Sequence, residues 1–326
     1  MGKESLVSII LAAGKGTRMK SRLPKVLHPL LGKPLLAHVI DLLKSVSVEQ
    51  IVVVIGHGAD KVRRFFNDDV EFVYQEQQLG TGHAVACARD ALAGVKQSVL
   101  IICGDTPLFQ QVTLKSFIDA HHKSNNIVSI LSSHFANPFG YGRIVRDGLG
   151  NFSRIVEEKD ATEEEKAIKE VNTGTYMVEA QFLFELVSQL ECNNAQGEYY
   201  LTDIVGLAAS NGLKVGAFPL AKEEEALGVN SRAQLARAEA VLLRRKRGEL
   251  MDSGVTLSMP ETIYVEPDVE AGPDCQIGPF CILKGKTVLG EGVKLDSHCY
   301  IKDSVIKPRV YISAFSKVVD GKVLDK

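Results

Sequence analysis

The stretch Leu11-Ala-Ala-Gly-Lys-Gly-Thr-Arg-Met-Lys-Ser-Arg-Leu-Pro-Lys25 decides how the first part of this chain folds. It continues an apolar run, Leu6 to Leu11, that predicts a buried β-strand, and its two glycines fall where the chain has to turn. No acidic residue lies between Glu4 and Asp41, whereas that interval carries six cationic residues. They are Lys15, Arg18, Lys20, Arg22, Lys25 and Lys33. A glycine-containing turn with this much positive charge suits a polyphosphate, because backbone N–H groups and cationic side chains can both contact its oxygens.

Two common phosphate-binding motifs are absent from this stretch. The P-loop pattern of Gly, four residues and Gly-Lys-Ser/Thr does not occur, and the dinucleotide pattern would need a glycine at Met19. A solvated basic loop without a ligand is the plain alternative. The order of strand, Ala-Ala-Gly, Gly-Thr-Arg-Met and Leu-Pro-Lys favours a nucleotide site, and it resembles the signature of the sugar-1-phosphate nucleotidyltransferases.

The composition indicates a folded, water-soluble protein of two domains. The chain has 326 residues, of which 45% are apolar and 24% charged. Its net charge of -2 argues against nucleic acid or an anionic membrane as a partner. We see neither a signal-peptide pattern nor a membrane-spanning apolar run, so we expect a cytoplasmic enzyme. The six cysteines form no Cys-x-x-Cys pair, and none of the eight histidines falls in a metal-ligand or triad spacing.

Up to about residue 228, apolar β-runs alternate with helical segments. Ile51 to Ile55 and Val99 to Cys103 are continuous apolar runs, typical of parallel strands that are covered on both faces. Gly80 to Leu92 predicts a helix between them. Further strands are expected at Ile127 to Ser132, Phe152 to Val156 and Thr173 to Val178. The pattern predicts a Rossmann-like α/β domain with an open, mostly parallel sheet, helices on both sides, and ligands at the carboxyl ends of the strands.

A different period begins after Gly254. Before it, Ser231 to about Leu250 predicts a linking helix with Ser231 as a candidate N-cap. Beyond it, small or apolar residues recur every six positions, at Ile263, Val269, Cys275, Cys281, Thr287, Val293, Cys299 and Val305. A second column runs two residues later, at Val265, Ala271, Ile277, Leu283, Leu289, Leu295 and Ile301. Such hexads predict a short left-handed parallel β-helix, with its three cysteines packed in the core. We therefore divide the chain into residues 1–230, a linker helix 231–253 and a β-helix 254–326.

The combination of the two domains resembles the bifunctional N-acetylglucosamine-1-phosphate uridyltransferase/glucosamine-1-phosphate acetyltransferase family. The resemblance runs from about Val7 to the end of the chain. Its motifs lie at Gln75 to Gly82, Gly104 to Pro107, Gly140 to Ile144, Ile155 to Glu157, Asn172 to Gly174, Asn194 to Tyr200 and Gly228 to Asn230. It implies attack of the phosphate of N-acetylglucosamine 1-phosphate on the α-phosphorus of UTP, which releases pyrophosphate. The attacking oxygen is already ionised near neutral pH, so catalysis has to come from positioning and charge stabilisation.

Arg18 and Lys25 are the residues that we predict to stabilise the charge of the triphosphate and of the transition state. Arg18 can form two parallel bonds to phosphate oxygens, whereas Lys25 acts as a point charge placed after the rigid Pro24. Lys15 is a weaker candidate, and Lys20 and Arg22 are expected to be surface residues.

Asp105 directly follows the apolar run that ends at Cys103, and it therefore lies at the carboxyl end of a predicted strand. The resemblance implies that Asp105 and Asn230 hold Mg²⁺, and two protein oxygens with phosphates and waters are usual for that ion. The plain alternatives are a turn-forming role for Asp105 and helix capping by Asn230.

The resemblance also implies the residues around each substrate. The nucleotide is expected at Leu11, Ala12, Ala13, Gly14, Lys25, Gln75, Gly80 and Thr81. The sugar is expected at Thr81, Cys103, Gly104, Gly140, Glu157 and Asn172. Glu157 and Asn172 could equally be ordinary hydrogen-bonded polar residues. The chain departs from the family pattern at Cys103, where the family has a tyrosine, and this departure bears on the sugar pocket.

Acetyl transfer in this family needs a longer β-helix than the three coils expected here. The acetyl-transfer motifs have no counterpart in the chain, so we expect no acetyltransferase activity. An end without a capping helix favours a shortened chain, and the β-helix is compatible with a homotrimer. Three alternatives remain: a nucleotidyltransferase that forms UDP-glucose or dTDP-glucose, a non-catalytic subunit that binds nucleotide sugars, and a hexapeptide acyltransferase.

Overall fold

A computed structural model describes residues 6–66, 70–150 and 152–324 of the chain. The chain divides into two compact units, the first from Met1–His28 and Pro34–Gln234 and the second from Pro29–Lys33 and Leu235–Lys326. The predicted domain boundaries after residues 230 and 253 are not tested by this division and remain a prediction. None of the helices among the described residues is both long and apolar enough to cross a membrane.

A nine-stranded sheet forms the centre of the first unit. Its strands are β1 (Leu6–Ala12), β2 (Val48–Ile55), β3 (Glu71–Tyr74), β4 (Ser98–Cys103), β5 (Val128–His134), β6 (Arg143–Arg146), β7 (Phe152–Val156), β8 (Glu170–Glu179) and β9 (Val215–Pro219). Seven of them form a path in the order β9-β5-β8-β4-β1-β2-β3, and the antiparallel β6–β7 pair joins it through β8. Strands β1 to β4 run parallel, as do β5 and β9, whereas β8 runs antiparallel between β4 and β5. The predicted mostly parallel sheet is confirmed.

Helices cover both faces of this sheet. The helices of the chain are α1 (Leu35–Ser45), α2 (Ala59–Phe65), α3 (Thr81–Cys87), α4 (Gln111–Lys123), α5 (Glu163–Lys166), α6 (Ala180–Ser188), α7 (Asp203–Ser210) and α8 (Arg232–Asp252). Successive residues of β1 and β2 alternate between two apolar clusters, one with α3, α6 and α7 and the other with α1, α2 and α4. Both faces are therefore buried, which explains why these strands have continuous apolar sequences.

Two predicted helices can be compared with the structure. The helix expected from Gly80 to Leu92 is shorter, because α3 ends at Cys87, and Asp90–Leu92 is a separate 3₁₀ turn. The Ala88 N–H donates to the carbonyl of Val85 (3.0 Å), so the chain tightens to i→i+3 bonding at this point. The linking helix is present as α8, and Ser231 Oγ accepts from the Gln234 N–H (3.2 Å), as expected of an N-cap.

The second unit contains the left-handed β-helix, built from three stacks of short parallel strands. The first stack contains Thr256–Leu257, Gln276–Ile277, Lys294–Leu295 and Tyr311–Ile312. The second contains Tyr264–Val265, Ile282–Lys284, Tyr300–Lys302 and Lys317–Val319, with Lys322–Leu324 added antiparallel, and the third Glu270–Ala271, Val288–Leu289 and Val305–Ile306. The two predicted columns form its core, and Cys275, Cys281 and Cys299 are buried free thiols within it, as expected.

The prediction is wrong at Val305, which is 73% exposed instead of buried. Ile282 pairs with Tyr300, 18 residues further on, but Val288 pairs with Val305, only 17 residues on. One residue is missing from the corner at Asp303, which has a positive φ of 45°. The buried column position consequently falls on Ser304, whose Oγ donates to the carbonyl of Lys302 (2.6 Å).

Because of this register, two valines of the same predicted column differ in burial. Val293 is fully buried and Val305 is exposed, so Val293→Ala should lower the free energy of unfolding by about 2 kcal/mol. Val305→Ala should change it by less than about 0.5 kcal/mol. Denaturant unfolding of both variants measures the difference, and equal losses would contradict the one-residue skip.

Candidate active site

The candidate site lies at the carboxyl edge of the parallel strands. There β1 continues into a basic loop, defined here as residues 13–25, and β4 continues into Gly104 and Asp105. Leu11 pairs with Cys103, and the Gly104 N–H donates to the carbonyl of Leu11 (3.0 Å). The two strand ends are thereby fixed beside each other, so that the residues after them face one cleft.

The basic loop contains a buried methionine and is held by two close contacts between a glycine and a side chain. Met19 is buried within the 3₁₀ turn Thr17–Met19. Gly16 has a φ of +60°, and a Cβ there would lie 2.7 Å from the Cβ of Lys25. Pro24 packs in the same way against Gly58, where a Cβ would lie 2.6 Å from the proline Cγ. These contacts require glycine, and they hold the stem of Lys25 in place.

Lys25, Asp105 and Asn230 meet in space although they are far apart in the sequence. The Lys25 ammonium group forms an ion pair with Asp105 Oδ2 and donates to Asn230 Oδ1 (2.9 Å). The Val229 N–H donates to the backbone carbonyl of Asp105 (2.8 Å), which fixes the two oxygen-bearing residues relative to each other. A carboxylate and an amide oxygen thus converge on one cation. This donor set fits a hard divalent ion such as Mg²⁺.

A cavity of about 470 Å³ opens next to this group. All eight predicted nucleotide residues line it, namely Leu11, Ala12, Ala13, Gly14, Lys25, Gln75, Gly80 and Thr81. Of the other predicted site residues, Cys103 and Asp105 also line it. The remaining lining residues are Lys15, Gly16, Thr17, Val26, Gln78, Ala84 and Glu198.

One wall of the cavity depends on backbone contacts around Gly80. This glycine precedes α3 with a φ of +111°, and a Cβ there would lie 2.5 Å from the carbonyl oxygen of Tyr199. The Tyr199 N–H donates to the carbonyl of Leu79 (2.8 Å), and Thr81 Oγ1 accepts from the Leu201 N–H (3.0 Å). The amide of the buried Gln75 donates to the carbonyl of Gly80 (3.1 Å).

Residues predicted for the sugar form a connected group on the other side of Cys103. Asn172 Nδ2 donates to the Tyr176 hydroxyl (2.7 Å), and its Oδ1 accepts from the Gly174 N–H (3.0 Å). Gly174 in turn lies beside Cys103, because a Cβ added to it would be 3.1 Å from the Cys103 Sγ. Glu157 approaches the backbone of Gly142, whose carbonyl accepts from the Asn172 N–H (2.8 Å).

Burial dominates the electrostatics of this group. Desolvation raises the pKa of Glu157 above its usual value, and it raises the pKa of Tyr176 well above its usual value, with the charge of Glu157 adding to the effect. Desolvation, reinforced by the charge of Asp105, raises the pKa of Cys103 to about 12. The Cys103 thiol is therefore protonated and uncharged at neutral pH.

Besides Glu157 and Asn172, three predicted residues do not line the cavity and lack a direct side-chain contact with Lys25 or Asp105 among the described interactions. Arg18 is exposed. Burial raises the pKa of the Tyr141 hydroxyl above its usual value, and the positive charge of Arg18 opposes part of this rise. Gly140 is exposed, and its N–H donates to Glu158 Oε2 (3.0 Å). Gly104 is buried against Ile10 and Ala12.

The sequence analysis missed Tyr176, Tyr141 and Glu198 as individual residues. Tyr141 and Glu198 lie inside motifs that carried the family resemblance, so those motifs were an available signal. Tyr176 lies on the same face of β8 as Asn172, which precedes it by four residues. No sequence motif indicates a contact between these two positions.

Comparison with known proteins agrees with this arrangement. The family model of the MobA-like NTP transferase domain matches residues 8–169. The bifunctional protein GlmU of Streptococcus agalactiae serotype V is 47% identical over 306 residues, which are 94% of this chain and 67% of that protein. GlmU of Trichlorobacter lovleyi is 46% identical over 320 residues, and GlmU of Listeria monocytogenes serotype 4a is 44% identical over 318. These alignments cover 98% of this chain and 70% and 69% of the two relatives.

The chain belongs to the GlmU family. The resemblance found in the sequence is confirmed, and the protein is an enzyme of nucleotidyl transfer, a uridyltransferase. Membership of the GlmU family implies a nucleotide and a sugar phosphate as substrates, and a divalent metal ion is typical of such transferases.

In this GlmU-family enzyme Gly80 is a sensitive position in the wall of the cavity, which is predicted to bind the nucleotide. Gly80→Ala should lower the free energy of unfolding by about 1–3 kcal/mol for the backbone strain alone, and it should weaken nucleotide binding because Tyr199 has to move. Gly94→Ala is the matched control, since Gly94 has a φ of +81° but nothing lies within 4 Å of an added Cβ. Nucleotide titration should show unchanged affinity for Gly94→Ala. Unchanged affinity in both variants would argue against this wall as part of the nucleotide site.

The raised pKa of Cys103 predicts slow alkylation. Below about pH 12 the Cys103 thiol stays protonated and reacts slowly, whereas Cys192 is exposed to the reagent. Iodoacetamide at pH 8 should label Cys192 before Cys103, as read by peptide mass spectrometry, with the denatured protein as the control for full labelling. Equal rates for the two folded-state cysteines would contradict the raised pKa.

Proposed function

We propose that the protein transfers the uridylyl group of UTP to N-acetylglucosamine 1-phosphate, with Mg²⁺ as the metal, and forms UDP-N-acetylglucosamine and pyrophosphate. The observation that carries this proposal is the convergence of Lys25, Asp105 and Asn230 on one point beside a cavity lined by the eight expected nucleotide residues. The substrates of such a reaction support a cytoplasmic location.

The chemistry requires positioning and charge neutralisation more than a general base. An ionised phosphate oxygen of the sugar phosphate forms a bond to the α-phosphorus of UTP, and the bond from that phosphorus to the bridging oxygen of the β-phosphate breaks. Pyrophosphate leaves with the electron pair, and no proton has to be removed from the nucleophile. Two anions must be brought together, so nearby cations supply most of the catalytic effect.

Asp105 and Asn230 are the residues that would hold Mg²⁺ in this proposal. Bound there, the ion would neutralise phosphate charge and orient the phosphate oxygens. Lys25, which contacts both oxygens, would supply a second positive charge close to the same phosphates. Arg18 is the proposed third cation, and since it is exposed on the basic loop it would have to turn toward the bound triphosphate.

The cavity suits the nucleotide half of the product, and the connected group that contains Glu157 and Asn172 is proposed for the sugar half. Gly14 is a place where phosphate oxygens could approach the backbone, because nothing lies within 4 Å of the position of its missing Cβ. Gln75, Gly80 and Thr81 form the wall proposed for the uridine. Glu157 and Asn172, which do not line the cavity, can bond sugar hydroxyls and the acetamido group, and Cys103 lines the cavity and lies beside Gly174, whose N–H donates to Asn172. Gly104 and Gly140, also expected at the sugar from the sequence, are proposed to contact it through their backbone.

The test is release of pyrophosphate from UTP with N-acetylglucosamine 1-phosphate, with glucose 1-phosphate, glucosamine 1-phosphate and dTTP as alternative substrates. We expect release that depends on Mg²⁺ and prefers UTP and the N-acetylated sugar. Lys25→Gln should lower kcat by about 10²–10³, the usual loss for a charge-stabilising donor. Lys20→Gln removes an exposed cation of the same loop and should change kcat only a few-fold.

Each failure has a distinct meaning. Preference for another sugar would retain the reaction and reject the sugar assignment around Cys103. UTP binding without any turnover would favour a non-catalytic subunit. Equal effects of Lys25→Gln and Lys20→Gln would reject the catalytic role of Lys25. Acetyl transfer from acetyl-CoA to glucosamine 1-phosphate, predicted to be absent, is measured in the same preparation.

A further inference from the structure

A cluster of two histidines and a glutamate lies at the opposite edge of the same sheet. His121 and His122 are in the last turn of α4, Glu179 ends β8 and Ser98 begins β4. Ser98 and Glu179 are directly paired across the two strands. Asp105 follows the other end of β4, and a strand rises by about 3.3 Å per residue, so roughly 16 Å of strand separates the two edges.

The geometry points to a site for a transition-metal ion of the Zn²⁺ type, held by His121, His122 and Glu179. Each residue offers one ligand atom, and the three atoms lie within 4.8 Å of one another. Two imidazoles and a carboxylate, with a water as fourth ligand, are a common Zn²⁺ set. The same set disfavours Mg²⁺, which prefers oxygen ligands.

The positions of the three ligands need little change to accept an ion. His121 Nε2 and Glu179 Oε1 are 3.0 Å apart, at hydrogen-bond distance, and would have to separate to roughly 3.4 Å to bind one tetrahedral ion with bonds of about 2.0–2.2 Å. His122 is half-buried, lines the adjoining cavity and contacts Ser98 Oγ through Nε2 (3.2 Å), so its ring would have to turn toward the other two ligands to bind the ion.

The hydrogen-bond partners of His121 and Glu179 suit a His121 ring that binds an ion through Nε2. His121 is fully buried, and its Nδ1 lies 2.7 Å from Ser129 Oγ. Once Nε2 binds the ion, Nδ1 carries the proton and donates it to that hydroxyl oxygen, which also accepts from Asn126 Nδ2 (3.1 Å). Ser98 Oγ donates to Glu179 Oε1 (2.7 Å) and orients the carboxylate.

The surroundings favour a cation and give it access. The negative end of the α4 dipole lies at the two histidines, because they occupy the last turn of a 13-residue helix. A polar cavity of about 610 Å³, which includes Ser98, His121, His122 and Glu179 in its lining, opens at the cluster. A bound ion would join the end of α4 to the end of β8, which meet here through the hydrogen bond between His121 and Glu179.

Zinc titration of the full chain by calorimetry, with excess Mg²⁺ to occupy the oxygen-ligand site, tests the proposal. We expect one Zn²⁺ per chain and a higher thermal midpoint with Zn²⁺. His122→Gln and Glu179→Gln should each weaken binding at least about tenfold, the lower end of the loss seen even for outer-shell partners. His134→Gln, which removes an exposed histidine elsewhere in the first unit, should leave binding unchanged.

A second pair of variants tests the outer shell. Ser129→Ala should weaken Zn²⁺ binding about 10–100-fold. Ser133→Ala is its matched control, because Ser133 is equally buried in β5 and its Oγ has no hydrogen-bond partner. Equal Zn²⁺ affinity in wild type, His122→Gln and Glu179→Gln, or no Zn²⁺ binding by the wild type, would overturn the proposal. A thiolate charge-transfer band in the Co²⁺-loaded protein would also overturn it, since it would assign the ion to cysteine.

Discussion

The ion pair between Lys25 and Asp105, extended to Asn230, is the interaction on which the candidate active site depends. The three residues come from the basic loop, the end of β4 and the segment before α8, separated by 80 and 205 residues in the sequence. An ion pair with little exposed surface costs desolvation and contributes little net stability. Its value lies in placement, because it holds one cation and two oxygen ligands at the point where phosphate charge has to be neutralised.

Sequence reasoning located this region because two simple rules act together. Continuous apolar runs predict parallel strands covered on both faces, and the residues after such strands share one edge of the sheet. Leu11 to Gly14 and Cys103 to Asp105 could therefore be placed together from sequence. The wall around Gly80 could not be derived in the same way, because its contacts with Tyr199 are backbone contacts between remote segments.

The β-helix shows where periodicity stops being informative. A six-residue period identified the fold and most of its core, yet it assigned Val305 to the interior. Val305 is small and apolar, so its residue type agrees with the column, and only strand pairing reveals that the register has moved by one residue at Asp303. Ser304, which takes the buried position, bonds its hydroxyl to Lys302 and so avoids an unpaired polar group.

The histidines of the first unit also show a limit of prediction from sequence. No sequence spacing marks His121, His122 and Glu179 as a ligand set, because a metal site needs neighbours in space and these residues come from two separated segments. With Mg²⁺ proposed at Asp105 and Zn²⁺ at the cluster, the sites near the two ends of β4 would differ in ligand chemistry, oxygens at one and two imidazoles with a carboxylate at the other. Oxygen ligands favour hard ions such as Mg²⁺ and imidazoles favour borderline ions such as Zn²⁺, so the two sites would select different ions.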